Sequence, residues 1–123
     1  MEYNGVYGIF NYKNGSKYEG RRKNGLQEGT GTYYYSNGDK YIGQWKNSLQ
    51  EGTGTYYHYA SGSKYEGQWK NGLQEGTGTF YHTSGKKYEG QWSKGKRRYK
   101  MQKLGINSLK KGIWLVSFML QLE

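Results

Sequence analysis

The chain has 123 residues, a net charge of +10, no cysteine and no proline. The lack of cysteine excludes a disulfide framework and thiolate metal sites, and is compatible with a reducing compartment. No stretch reaches the ~18 apolar residues of a membrane-spanning helix, and Met1-Glu2-Tyr3-Asn4 lacks the charged-then-apolar pattern of a secretory signal, so a soluble cytoplasmic protein is expected.

In chain order, residues 1–17 read as an incomplete leading unit, in which Gly8-Ile9-Phe10-Asn11-Tyr12 aligns with Gly31-Thr32-Tyr33-Tyr34-Tyr35. This unit either caps the domain or offers a surface for another repeat chain. Three full units follow, 18–40, 41–64 and 65–87, with leading tyrosines Tyr18, Tyr41, Tyr65 and Tyr88 spaced 23, 24 and 23 residues apart. A fixed period of this length marks a stacked-repeat protein. Each unit holds two short runs of period-2 alternation, the mark of a two-faced strand. Tyr41, Gly43 and Trp45 fall on one face, with Ile42 and Gln44 on the other. In the second run Gly52, Gly54 and Tyr56 share a face, opposite Thr53 and Thr55.

A ring beside same-face glycines can lie over the bare backbone of a neighbouring strand. Burial here must be aromatic, since 18% of the residues are aromatic, 21 are glycine, and aliphatic side chains are scarce before residue 95. Lys13-Asn14-Gly15, Ser36-Asn37-Gly38, Lys46-Asn47-Ser48 and Lys70-Asn71-Gly72 read as tight reversals. The expected fold is therefore all-β: a single elongated, twisted antiparallel sheet of stacked hairpins. Eight strands are predicted, near 7–12, 18–22, 30–35, 41–45, 53–58, 65–69, 77–82 and 88–92.

The pattern is expected to stop at Gly95, giving a repeat domain over 1–95 and a basic, apolar tail over 96–123. Residues 94–123 carry eight Lys or Arg against one acid, Glu123. Leu109, Ile113, Val116 and Leu120 form one face of a helix, with Asn107 as its cap. A strand with Trp114, Val116, Phe118 and Leu120 on one side is the competing reading. The tail's basic and apolar residues Lys96, Arg97, Arg98, Lys110, Lys111, Trp114 and Phe118 suit three roles: a cap on the open sheet end, a partner-binding segment, or a membrane-surface contact.

The run Tyr65-Glu66-Gly67-Gln68-Trp69-Lys70-Asn71-Gly72, followed by Gly76-Thr77-Gly78-Thr79-Phe80, resembles the MORN (membrane occupation and recognition nexus) repeat, over roughly residues 3–95. Departures are local: Arg22 stands in the tryptophan place, Ile42 in the acidic place and Ser48 in the turn-glycine place.

The sequence offers little chemistry for catalysis. His58 and His82 occupy the place of Tyr35 in successive repeats and read as surface or stacking groups. Glu28, Glu51 and Glu75, like Glu19, Glu66 and Glu89, recur as ladders, where an active site needs one asymmetric constellation. They are expected to pair with lysines across strands. Gly29-Thr30-Gly31 lacks the context of a phosphate loop. The aromatic residues are already required by sheet packing, which disfavours nucleic acid as a partner. No cofactor or metal is expected, and the chain does not read as an enzyme.

The resemblance implies a structural scaffold of cytoskeletal assemblies such as ciliary axonemes and radial-spoke heads. In that reading Tyr18, Tyr41, Gly43, Trp45, Tyr65, Gly67, Trp69, Tyr88 and Trp92 form an aromatic and glycine groove for a peptide or helix of a protein partner. The open ends suit a homodimer. The alternative is a phosphoinositide or acidic-membrane binding module.

Overall fold

A computed structural model describes residues 5–98. Nine strands run in chain order: β1 (Val6–Asn11), β2 (Lys17–Lys23), β3 (Leu26–Tyr34), β4 (Lys40–Lys46), β5 (Leu49–Tyr57), β6 (Lys64–Lys70), β7 (Leu73–Tyr81), β8 (Lys87–Ser93) and β9 (Lys96–Arg98). They form one antiparallel sheet in which every strand pairs with its sequence neighbours. The helix expected in the tail lies outside the described residues, as do Lys110, Lys111, Trp114 and Phe118.

Two kinds of turn alternate. Asn24-Gly25, Asn47-Ser48, Asn71-Gly72 and Lys94-Gly95 each have two residues at positive φ, between 49° and 84°. Two-residue type I′ hairpins require this pattern. Ser48 adopts it without being glycine; its hydroxyl accepts from Gln27 N at 3.1 Å and its own N–H donates to Gln27 O at 3.0 Å. The other links are longer and close on one glycine each, such as Gly15 at φ 92° and Gly38 at φ 98°. The link between β5 and β6 holds six residues where the others hold five, and it absorbs the single 24-residue spacing.

Lys94-Gly95 makes the same reversal as Asn71-Gly72, so the sheet continues past Gly95 and gains a ninth strand. Lys96, Arg97 and Arg98, expected in the tail, pair with Ser93, Trp92 and Gln91. The basic side chains did not prevent this, because the turn geometry and the backbone ladder decide the pairing.

The register places one glycine of every strand from β1 to β8 in a single row: Gly8, Gly20, Gly31, Gly43, Gly54, Gly67, Gly78 and Gly90. The row two residues away is aromatic throughout: Phe10, Tyr18, Tyr33, Tyr41, Tyr56, Tyr65, Phe80 and Tyr88. Tyr41 lies flat over Gly43 and Gly54, and Tyr65 over Gly67 and Gly78. A Cβ at Gly43 would meet Gly54 Cα at 2.5 Å and Tyr41 Oη at 2.6 Å.

Between Gly43 and Trp45 the register shifts, so that Gln44 alone opposes Glu51-Gly52-Thr53. The same bulge recurs between Gly20 and Arg22 and between Gly67 and Trp69. The expected face of Gly52 is corrected by this bulge. Gly52, at φ 74°, is overlain by the Gln44 side chain, which lies on the face opposite the rings. Gln44 Oε1 accepts from Thr53 N at 2.8 Å, and Gln68 Oε1 accepts from Thr77 N at 2.7 Å. On the ring side, Tyr41 Oη donates to Gln44 O at 3.0 Å and Tyr65 Oη to Gln68 O at 3.0 Å. Polar groups freed by the break in the ladder thus find partners.

Gly43→Ala is expected to lower unfolding free energy by ~1–3 kcal/mol, as overpacking does. Thr30→Ala, on the exposed face, is expected to change it by no more than about 0.5 kcal/mol. Urea unfolding measures both, and equal losses would show that the glycine row does not seat the rings.

Candidate functional site

The packed face carries two aromatic rows that differ in accessibility. The deeper row alternates tyrosine and tryptophan: Tyr18, Trp45, Tyr41, Trp69, Tyr65, Trp92 and Tyr88. Successive centroids are 4.9–5.6 Å apart and every contact is edge-to-face, with interplanar angles of 74–88°. Each such contact adds roughly 0.5–1.5 kcal/mol beyond area burial. The tryptophans are further fixed by hydrogen bonds, with Trp45, Trp69 and Trp92 Nε1 donating to Gly31, Gly54 and Gly78 O at 3.0–3.1 Å. Where tryptophan is replaced by Arg22, the guanidinium stacks on Phe10 at 4.2 Å and Nη2 donates to Gly25 O at 3.2 Å.

Burial sorts the residues predicted to bind a partner. Tyr18, Tyr41 and Tyr65 have 0% exposure, and Trp45, Trp69 and Trp92 have 5–7%. Gly43 and Gly67 lie beneath the rings. These side chains form the floor of the face and have almost no surface left to offer. Tyr88 is half-buried near the last strand, where its hydroxyl donates to Arg98 O at 2.9 Å and Arg97 stacks on its ring at 4.6 Å.

The accessible layer is a second row that includes residues outside the predicted set: Tyr12, Tyr33, Tyr35, Tyr56, His58, Phe80 and His82. All but His82 are half-buried, and His82 is exposed. Neighbouring ring centroids lie 4.6–6.2 Å apart, stacked between Tyr12 and Tyr33, edge-to-face between Phe80 and His82, and tilted between. Glutamines at one repeat position brace the row: Gln27 Nε2 donates to Tyr12 Oη at 3.2 Å and Gln50 Nε2 to Tyr35 Oη at 3.0 Å. The sequence signal for this row was the Gln of each Leu-Gln-Glu-Gly, which follows the aromatic position by fifteen residues at Tyr12 and Tyr35 and by sixteen at His58. Asp39 accepts from Tyr56 Oη at 2.7 Å and Tyr59 N at 2.9 Å. Its desolvation favours the neutral form, but the hydrogen bonds from Tyr56, Tyr59 and Asn37 outweigh it and hold the carboxyl below its ordinary range.

The glutamate ladders differ from expectation. Glu28, Glu51 and Glu75 form no ion pair with a lysine among the described residues; their Oε1 atoms accept from Asn47, Asn71 and Lys94 N at 3.0–3.1 Å, tying each unit to the next turn. Glu66 and Glu89 pair within their own strands, with Lys64 at 3.1 Å and Lys87 at 3.4 Å. On that opposite face Lys17, Lys40 and Lys64 lie over Tyr34, Tyr57 and Tyr81 at 4.5–4.9 Å.

Among the described residues no three His, Cys, Asp or Glu side chains gather as a metal site, and no helix is long and apolar enough to cross a membrane. The geometry is that of a single-layer repeat ribbon, one face of which carries a continuous, half-open aromatic row.

The profile of the MORN repeat matches residues 18–40, 41–64, 65–87 and 88–98, and the chain belongs to this family of non-catalytic protein- and membrane-interaction modules. The last match ends at Arg98, the final residue of β9. A comparison with curated proteins gave no match.

Burial raises the phenol pKa of Tyr35 and Tyr65 to about 12, with nearby Tyr33 and Glu75 as further causes. An unfolded tyrosine ionises near about 10. The raised folded values mean that this contribution to stability is complete below the unfolded pKa and is lost as pH rises through about 12. Urea midpoints are therefore expected to fall between pH 10 and 12 together with a late phenolate absorbance step. A midpoint that stays flat across this range would show that these hydroxyls ionise freely in the folded state.

Proposed function

We propose that the chain is a non-catalytic docking ribbon that holds an extended peptide or a helix of a protein partner along its second aromatic row. The observation that carries this reading is the continuity of that row, with ring contacts running from Tyr33 to His82 and no interruption between repeats. Rings seated on a rigid floor lose little conformational freedom on binding, and they supply most of the energy in such interfaces. The floor residues Tyr41, Trp45, Tyr65 and Trp69 act by fixing the row. A scaffold of this kind suits a cytoskeletal assembly of the ciliary or axonemal type.

The second reading is attachment to phosphoinositide or other acidic membranes. It is favoured by the net charge of +10 and by the eight cations of residues 94–123.

Short peptides of randomised sequence selected on the full chain test the first reading. Tyr35→Ala and Phe80→Ala are each expected to weaken the selected peptides by ~2 kcal/mol, whereas Tyr57→Ala on the opposite face leaves binding unchanged. Thermal melts confirm that each variant is folded. Peptides indifferent to Tyr35 and Phe80, alongside salt-sensitive sedimentation with acidic vesicles, would favour the membrane reading.

A further inference from the structure

The second row repeats with the period of the hairpins. Tyr33, Tyr56 and Phe80 stand at one register position of β3, β5 and β7, and Tyr35 and His58 follow two residues further along the chain. Each repeat thus sets an inner and an outer ring, 4.6 Å apart for Tyr33 and Tyr35 and 4.7 Å for Tyr56 and His58. The outer ring then meets the inner ring of the next repeat, at 5.5 Å for Tyr35 and Tyr56 and 6.2 Å for His58 and Phe80. Equivalent rings lie two strands apart, a step of ~9.6 Å along the sheet.

A segment running along the row meets successive repeats alike only if its own period matches that step. Three residues of a polyproline II helix advance ~9.3 Å and complete one turn, so every third side chain returns to the same face. Its mismatch is ~0.3 Å per repeat. Seven residues of an α-helix advance ~10.5 Å, and same-face side chains of a strand recur every ~6.7 Å. These fall out of step by ~1 Å and ~3 Å within a single repeat. The polar groups along the row suit the same backbone. Gln27 and Gln50 Nε2 donate to Tyr12 and Tyr35 Oη, and among the described residues neither phenol donates in turn. Each keeps an O–H for an acceptor. A polyproline II helix makes no internal hydrogen bonds and exposes its carbonyls, while proline brings no N–H in need of a partner. Between Tyr33 and Phe80 no lysine, arginine or glutamate belongs to the row, and Asp39 at its margin already accepts from Tyr56, Tyr59 and Asn37. A neutral segment rich in acceptors is the charge complement of such a row.

We infer that the occupant of the second row is a proline-rich segment in the polyproline II conformation, docked one turn per repeat. An apolar side chain at every third position sits over the contact of Tyr35 with Tyr56, then over that of His58 with Phe80. The inference rests on the groove reading above and narrows it to one backbone conformation. Proline-rich chains hold this conformation before they bind, so docking on rings that are themselves fixed orders little on either side.

The test varies the phase of the ligand and leaves the protein intact. Polyproline peptides carrying two leucines, their spacing varied from two to six residues, are titrated into the full chain. Spacings of three and six are expected to bind about tenfold more tightly than spacings of two, four or five. Tyr35→Ala should flatten this pattern, and Tyr57→Ala on the opposite face should preserve it. Should Tyr35→Ala melt early, the spacing series on the unchanged protein still decides. Affinity indifferent to leucine spacing, or no binding by any of these peptides, would overturn the inference. Random short peptides selected on the same chain give a second arm, in which proline and apolar residues three apart are expected to be enriched. Enriched peptides that need Tyr35 and Phe80 but set their apolar residues two or seven apart would overturn the polyproline occupant in favour of a strand or a helix, and leave the groove standing. No peptide of any kind that needs Tyr35 and Phe80 would overturn both.

Discussion

A tyrosine ring lying on two bare glycines is the contact on which the rest of the sheet depends. A single-layer sheet has no second layer to bury its side chains, so burial must come from the sheet's own backbone. Tyr18, Tyr41 and Tyr65 achieve it completely, because paired glycines such as Gly43 and Gly54 let the ring settle onto the main chain. The tryptophans then close the gaps between tyrosines of adjacent units, edge against face. The usual weakness of glycine in a strand is offset here by the aromatic area it admits.

Coupling between units follows from the same geometry. Trp69 belongs to one repeat but packs on Tyr41 and donates to Gly54 of the repeat before it. Glu51 holds the turn of the following unit through Asn71 N. No repeat satisfies its own rings or its own turn alone, as expected of nearest-neighbour repeat architectures. The bulges are part of this design: a register shift frees polar groups, and Gln44 and Tyr41 satisfy them from opposite faces.

A division of labour between the two rows explains how such a thin domain can be both rigid and adhesive. The tyrosine and tryptophan row is spent on stability and is nearly closed to solvent. The Tyr35, Tyr56, His58 and Phe80 row rests against it and keeps part of its surface. Because the two rows are built from different residues, identity along the second row can change without altering the ladder of the first. The exchange of tyrosine for His58 and His82, and of glutamine for Arg97, alters the chemistry of the ribbon's end while the ladder beneath it continues to Trp92 and Tyr88.

Much of this was legible in the residues themselves. The tyrosine period, the two-faced runs and the Asn-Gly reversals specify an antiparallel meander, because strand alternation and positive-φ turns are local properties. Seating aromatic rings on same-face glycines was legible for the same reason. Tertiary structure decided what depends on register. It moved Gly52 out of the ring face by a bulge, gave the recurring glutamates to turn N–H groups, and drew Lys96–Arg98 into the sheet through a Lys94-Gly95 turn. It also decided which aromatics remain accessible. Alternation gives Tyr41 and Tyr56 the same face, but only the packed sheet shows that the first is sealed between tryptophans while the second keeps an open side. Exposure is set by neighbours distant in sequence, and no local pattern encodes it.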